Sequence, residues 1–314
     1  MDTTKPMILK LIPLFKERLW GGQKLKKFYD DLPPGDIGEC WGISAHQQGD
    51  SKIANKELNG QSLRQIYHQF PQWFNGAKST RFPLLVKIID AREDLSVQVH
   101  PNDSYALANE HDLGKHEAWV VLDVGNHSRL QLGHTALTLD SFKEAIVNKQ
   151  WKQLLRYEPL SIHDVIDIAP GTLHALCAGT VVLEIQQSSD VTYRVYDYER
   201  LDKVGNLRTL HLPQAMAVTT IPFVPPKKTK LNKTLFNQLQ PLIHNDHFVV
   251  EACGVNTKTG VLVHHHQYRL ATVIEGEIII DDIPFKQGDH FIVTSTVKQF
   301  TLRGSGWIIF ANIP

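Results

Sequence analysis

Residues 168–176 read IAPGTLHAL and residues 285–293 read FKQGDHFIV, and the two stretches are built alike. Each runs from an apolar residue into a glycine turn, and a histidine follows close behind. Pro170 presets its own φ and Gly171 tolerates either sign of φ, so the first turn is tight and delivers His174 to the start of a strand. Around these turns the recognisable elements are mostly short strands: PLLVKIID, LSVQVH, EAWVVLDV, VVLEIQQ, VTYRVYDY, YRLATVIEGEIIID and HFIVTS. Gly, Pro and Asp punctuate them, the texture of a β sandwich or barrel. Helical patterns are few. SLRQIYHQFPQWF begins one at Ser62, and SFKEAIVNKQWKQLL opens a second at Ser141, with Glu144 three residues on as in a capping box.

A glycine turn with a histidine close behind, Pro-Gly-x-x-His in the first half and Gly-x-His in the second, is like the turns cupin barrels carry. The predicted fold is therefore mainly β, with two cupin-like, jelly-roll barrels and a few helices. Near Ile221 the texture changes to IPFVPPKKTKLNKTLFNQLQP, where prolines and lysines replace alternation. The expected organisation is an N-terminal cupin unit over 1–222 carrying the active site, a linker over 223–240, and a degenerate cupin unit over 241–314.

Lys plus Arg equals Asp plus Glu, 33 each, in a chain of 314 residues. No overall field recruits nucleic acid or an anionic membrane, so the expected partner is a small molecule and any anion site is local. Cys40, Cys177 and Cys253 are far apart and lack C-x-x-C spacing, which argues against a disulfide framework or a thiolate metal site and suits a reducing cytoplasm. No apolar run approaches the length of a membrane helix. A monomer or weak homo-oligomer is expected.

LSVQVHPND, residues 95–103, puts Ser96, Gln98 and His100 on one face of a strand and Val97 and Val99 on the other. In GKHEAWVVL, Lys115 and Glu117 share a face opposite His116. With His174 these segments offer two imidazoles, a carboxylate and an amide oxygen, a donor set without thiolate that suits a catalytic zinc with an open position. The same set without the amide is the facial triad of non-haem iron, so an oxygenase and a non-enzymatic sugar-binding double cupin stand as alternatives. In VVLEIQQSSDVTYRVYDYER, Glu184 and Gln186 share one strand face. Asp190, Thr192, Arg194, Tyr196 and Tyr198 share another if the strand is regular, and Arg200 ends the run. Guanidinium groups there suit a phosphate or an oxyanion. His264 to His266 alternate faces, so their use at a metal site is the less favoured reading. His290 stands where His174 does in the first copy.

LSVQVHPND, GKHEAW, PGTLHAL and LEIQQSSDVTYRVYDY, preceded by RLWGG at 18–22, together resemble the type I mannose-6-phosphate isomerases in their short bacterial form. The resemblance spans essentially the whole chain. It implies a zinc-dependent aldose–ketose isomerase that interconverts mannose 6-phosphate and fructose 6-phosphate through a cis-enediol. It further implies zinc ligands at His100, Glu117 and His174 with Gln98 as a fourth, the active-site arginine at Arg194, and pocket residues at Trp20, Ser96, Lys115, Glu184 and Asp190. Glu184 is then the first choice for the proton-transferring base and Asp190 the second, while Lys115, Ser96 and Arg200 are the expected phosphate contacts. Leu176 stands where longer members have an aromatic residue, and Arg200 where they have a lysine. The segment between Glu117 and His174 is short, so the helical insertion of longer members is absent.

Overall fold

The computed structural model describes residues 8–58, 60–77, 79–126, 128–263 and 267–314. His264 to His266 therefore lie outside the described residues. Three large sheets and five short α-helices make up the fold, which is mainly β as expected, with the strands in facing layers.

A seven-stranded sheet forms the middle layer, in the order Lys228–Lys230, Asp164–Ile168, Glu117–Asp123, Thr180–Gln187, Leu84–Ala91, Leu14–Gly22 and Ile37–Ile43. Its central strands are buried along their whole length, so alternation sorts side chains between two interiors rather than between interior and water. Val86, Ile88, Ala118, Val120, Leu183 and Ile185 pack on one side. Ile89, Trp119, Val121 and Val182 pack on the other, and Lys87 and Glu184 share that second face.

The first side meets an eight-stranded sheet built mainly from residues 239–312. Strand Ile8–Ile12 belongs to that sheet too: it pairs antiparallel with His290–Val293, Ile8 opposite Val293 and Leu11 opposite His290. The second side meets a five-stranded sheet, in the order Leu155–Pro159, Arg129–His134, His174–Leu176, Val97–Val99 and Tyr193–Tyr196. Its inner face carries Leu130, Leu132 and Leu176. Its outer face, with Val97, Val99, Ala175, Tyr193 and Val195, is covered by helices Leu139–Val147, Trp151–Leu154 and Leu212–Val218. Alternation in LSVQVH thus reads correctly, with valines under helices and polar side chains facing the middle layer.

Two local expectations need correction. The second helix starts at Leu139, not beyond Ser141: Thr138 is extended and caps it, its Oγ1 accepting from Ser141 N at 3.2 Å while Ser141 Oγ accepts from Thr138 N at 3.2 Å. Ser141 is the far corner of the capping box rather than its start, because a second capping residue sits one turn upstream. The expected regular strand from Asp190 to Tyr198 is also shorter. Only Tyr193–Tyr196 is strand, and a bulge between Arg194 and Tyr196 turns Tyr196 away to stack on Trp151 with ring centroids 4.4 Å apart.

Candidate active site

Register across the two facing sheets assembles the site. In the middle sheet Trp41, Lys87, Glu184 and Trp119 stand opposite one another on neighbouring strands, forming one lateral row. Lys87 Nζ lies 3.0 Å from Glu184 Oε2 and donates to Gln186 Oε1 at 2.7 Å, while Trp119 Nε1 donates to Glu184 Oε1 at 3.1 Å. In the five-stranded sheet, His174, Gln98 and Arg194 form a second row. A cavity of about 400 Å³ opens between the rows. Trp20, Ser96, Gln98, Lys115, Glu184, Asp190 and Arg194 all line it, so the structure brings together these expected pocket residues.

His100, Glu117 and His174 meet beside this cavity, next to its lining residue Lys115, with one ligand-type atom from each within 4.8 Å of the others. Among the described residues this is the only such cluster of histidine, cysteine and carboxylate groups. His100 Nε2 is 3.4 Å from Glu117 Oε1 and His174 Nε2 is 3.3 Å from Oε2. Both rings are turned by their other nitrogen. His100 Nδ1 lies 2.9 Å from the carbonyl oxygen of Val191, and His174 Nδ1 lies 2.9 Å from that of Thr172. Donation there leaves each Nε2 as a free lone pair directed at Glu117, the tautomer a metal ligand needs.

Both Glu117 carboxylate oxygens and His174 Nε2 are buried without a hydrogen-bond partner. Lys115 Nζ approaches Glu117 Oε1 at 2.7 Å and His100 Nε2 at 3.5 Å, but outside hydrogen-bonding geometry to the carboxylate. Buried acceptors seldom go unsatisfied, so three at one point fit a cation held among them. Neutral imidazoles and a carboxylate are donors that zinc accepts.

The electrostatics are graded across the cavity. Burial favours a neutral Glu117, but Lys115 and His100 outweigh it and hold its pKa well below the usual carboxylate range. His100 is pushed down to about 4 by burial and by Lys115, which keeps it neutral. Glu184 moves the other way, raised by burial and by nearby Glu117 against the pull of Lys87. One carboxylate is therefore held ionised while the other is easier to protonate.

One expectation differs from the geometry. Arg200 does not line the cavity: it pairs with Asp197 at 2.6 Å and donates to the carbonyl oxygen of Asp94 at 2.6 Å, because the chain turns between them. Asp190 is exposed and no ion pair joins it to Arg194, whose Nη1 donates instead to the Thr209 carbonyl at 2.7 Å. His290, the counterpart of His174 in the second unit, is enclosed by Thr272, 2.8 Å from Nδ1, and Tyr29, 3.0 Å from Nε2, and among the described residues it belongs to no metal-type cluster. His116 points away from Glu117 to Asp167, as alternation requires. The cavity also contains Arg18, Glu39, Lys87, Trp119 and Arg208, which sequence reasoning passes over. Lys87 had a signal, a lone cation inside the apolar run PLLVKIID. Arg208 had none, since it reaches the cavity from a loop.

The fold and site define a cupin-type β enzyme with a buried two-histidine, one-carboxylate cluster beside a cationic cavity. Residues 8–118 match the family described as phosphomannose isomerase type I, catalytic domain, and residues 238–313 match the mannose-6-phosphate isomerase cupin domain. Among curated relatives, "Probable mannose-6-phosphate isomerase GmuF" of Bacillus subtilis is 41% identical, covering 96% of this chain and 97% of the relative. Mannose-6-phosphate isomerase ManA of the same organism is 37% identical, covering 99% of this chain and all of the relative. The crystal structure of the mannose 6-phosphate isomerase from B. subtilis superposes with a TM-score of 0.91 at 36% identity, covering 98% of this chain and 99% of that one. The chain belongs to the type I mannose-6-phosphate isomerase family and is an aldose–ketose isomerase.

Proposed function

We propose that the chain is a zinc-dependent enzyme that converts D-mannose 6-phosphate to D-fructose 6-phosphate, and the reverse, through a cis-enediol. The observation that carries this reading is the buried cluster of His100, Glu117 and His174, whose carboxylate oxygens and His174 Nε2 have no hydrogen-bond partner. These three would hold one Zn²⁺, with Gln98, between His174 and Arg194, as the fourth ligand. Zinc bound there supplies a Lewis acid that lowers the cost of negative charge on a substrate oxygen.

The remaining chemistry belongs to side chains. Glu184 takes the proton from C2 of the open-chain aldose while the C1 oxygen gains one; it then returns the proton to C1 as the C2 hydroxyl gives up its own. Burial raises its pKa, which makes it a better proton acceptor than an exposed carboxylate. Arg194 stabilises the enediolate, a task for a permanently charged fork. Asp190, exposed at the rim, is the second candidate for the base. Trp20 and Ser96 position the sugar. Lys115 sits beside Glu117, at the metal end of the cavity, so its role is toward sugar oxygens at the reacting carbons rather than the phosphate. The division into an active-site unit over 1–222, a linker over 223–240 and a degenerate cupin over 241–314 is part of the proposal, amended because Ile8–Ile12 pairs into the second unit. Three buried, unpaired thiols suit the cytoplasm.

A coupled assay of metal-analysed protein with mannose 6-phosphate and, separately, unphosphorylated mannose tests the reading. Stoichiometric zinc and turnover of the phosphorylated sugar are expected, and both are expected to vanish in His100→Ala and His174→Ala. Full turnover after complete metal removal overturns zinc dependence.

A further inference from the structure

Which cation meets the substrate's phosphate is left open once Arg200 is found outside the cavity, and the ion pairs narrow the choice. Among the cations lining the cavity, Arg18 is paired with Glu39 at 2.8 Å, Lys87 with Glu184 at 3.0 Å and Lys115 with Glu117 at 2.7 Å. Arg194 has no ion pair among the described residues, and its Nε is buried without a hydrogen-bond partner. Arg208 is different again. Its Nε donates to Asp197 Oδ2 at 2.6 Å and its Nη2 to Oδ1, a two-point grip that fixes the guanidinium plane and leaves Nη1 outside the grip.

The backbone is built to deliver this group. Tyr198 and Glu199 both take positive φ, 57° each, closing a tight turn in which Arg200 N donates to Asp197 O at 3.0 Å. Non-glycine residues adopt that conformation only where the surroundings impose it. Arg200 Nη2 donates to the same Asp197 Oδ1 that Arg208 Nη2 engages, and its Nη1 ties the carboxylate to the Asp94 carbonyl. The chain then forms a hairpin, Leu201 bridged to Leu207, with Lys203 pairing across to Glu17 at 2.7 Å, and returns Arg208 to the cavity wall. Thr209, next in sequence, accepts from Arg194 Nη1, so the two guanidiniums are stitched to one segment. Burial and then Arg208 lower the Arg194 pKa, as expected for two like charges awaiting an anion.

We propose that Arg208, held by Asp197 and presented by the 201–207 hairpin, is the residue that reads the substrate's phosphate, while Arg200 is a positioning residue on the same Asp197 carboxylate and Arg194 stays with the reacting carbons. This rests on the function proposed above. No covalent step is involved: a dianionic phosphate takes up Nη1 of Arg208, the nitrogen outside the Asp197 pair.

The test measures kcat and KM for mannose 6-phosphate and for unphosphorylated mannose, together with competitive inhibition by inorganic phosphate, in the zinc-loaded wild type, Arg208→Ala, Arg208→Lys and Asp197→Asn. Loss of one charged hydrogen-bonding partner is expected to lower the preference for the phosphorylated sugar by about 10- to 100-fold in Arg208→Ala, chiefly through KM. Inhibition by phosphate weakens in parallel. Arg208→Lys keeps charge without the fork and falls between. Asp197→Asn keeps the arginine but loosens it, raising KM with zinc content unchanged. Unaltered preference and unaltered phosphate inhibition in Arg208→Lys and Arg208→Ala overturn the inference, as does a loss confined to kcat. If the wild type itself does not turn over mannose 6-phosphate, the functional reading fails instead.

Discussion

Glu184 and Lys87 form a buried ion pair to which the proposed proton transfer is assigned. Both side chains are almost fully enclosed, at 4% and 5% exposure, so removing either charge strands the other in a low-dielectric interior. Glu184→Gln is therefore expected to act twice. It should lower kcat by about 10²- to 10⁴-fold, the usual contribution of a positioned base, while zinc content stays stoichiometric. It should also lower the melting temperature, because Lys87 loses its partner, and calorimetry on the same sample separates the effects. Asp190→Asn, at an exposed rim position, should leave the melting temperature nearly unchanged, and a kcat loss larger than that of Glu184→Gln would transfer the base to Asp190. Arg194→Ala should retain zinc and lose most of kcat; a change in KM alone would make it a binding residue only. At this scale the sequence was informative where a polar side chain interrupts an apolar strand. Gln98, His100, Glu117, His174 and Glu184 could all be placed that way, given the family resemblance. Arg208 and Arg18 could not, since what brings them to the cavity is a loop conformation and a pairing with Asp197 or Glu39, neither of which leaves a periodic trace.

Strand Ile37–Ile43 shows how an element is constrained from both sides. Its Gly42 lies flat against the His290 ring, and a Cβ there would fall inside the imidazole. His290 cannot yield, being fixed between Thr272 and Tyr29. Gly42→Ala is expected to destabilise the fold by about 1–3 kcal/mol through overpacking, read as a shift in the urea midpoint. The strands themselves were legible from alternation and turn residues, as in LSVQVH and YRLATVIEGEIIID. Helix boundaries were less so, since Thr138 and Ser141 compete for the same capping role and only the backbone decides between them. The short strand at Tyr193–Tyr196 misled regular alternation because a bulge costs one residue and leaves no compositional mark.

For the whole molecule, charge placement predicts the acid limb of stability. Burial favours a protonated Asp197, but Arg208 and Arg200 outweigh it and lower its pKa. A carboxylate lowered on folding contributes stability that is complete above its unfolded pKa, about 3.9, and is lost as pH falls through the lower folded value. Urea midpoints from about pH 6 downward should drop below about pH 4 in the wild type, and the drop should be shallower in Asp197→Asn. The proposed zinc would add a second, independent lever: a chelator should lower the melting temperature and added Zn²⁺ restore it, as for any ligand that binds only the folded chain. What the sequence could not convey at this scale was layering. The middle sheet is buried on both faces, so its strands read as continuous apolar runs, and the pattern alone does not say which runs stack.

Pairing Ile8–Ile12 with His290–Val293 also sets an order of events during synthesis. Strand Ile8–Ile12 can meet Lys52–Ile53 early, but its other edge meets His290–Val293 only after the residues between them have been made, an interval on the order of tens of seconds at typical elongation rates. Until then one edge of the ILKLI segment stays open, an invitation to chaperones and to neighbouring nascent chains that closes only when His290–Val293 arrives.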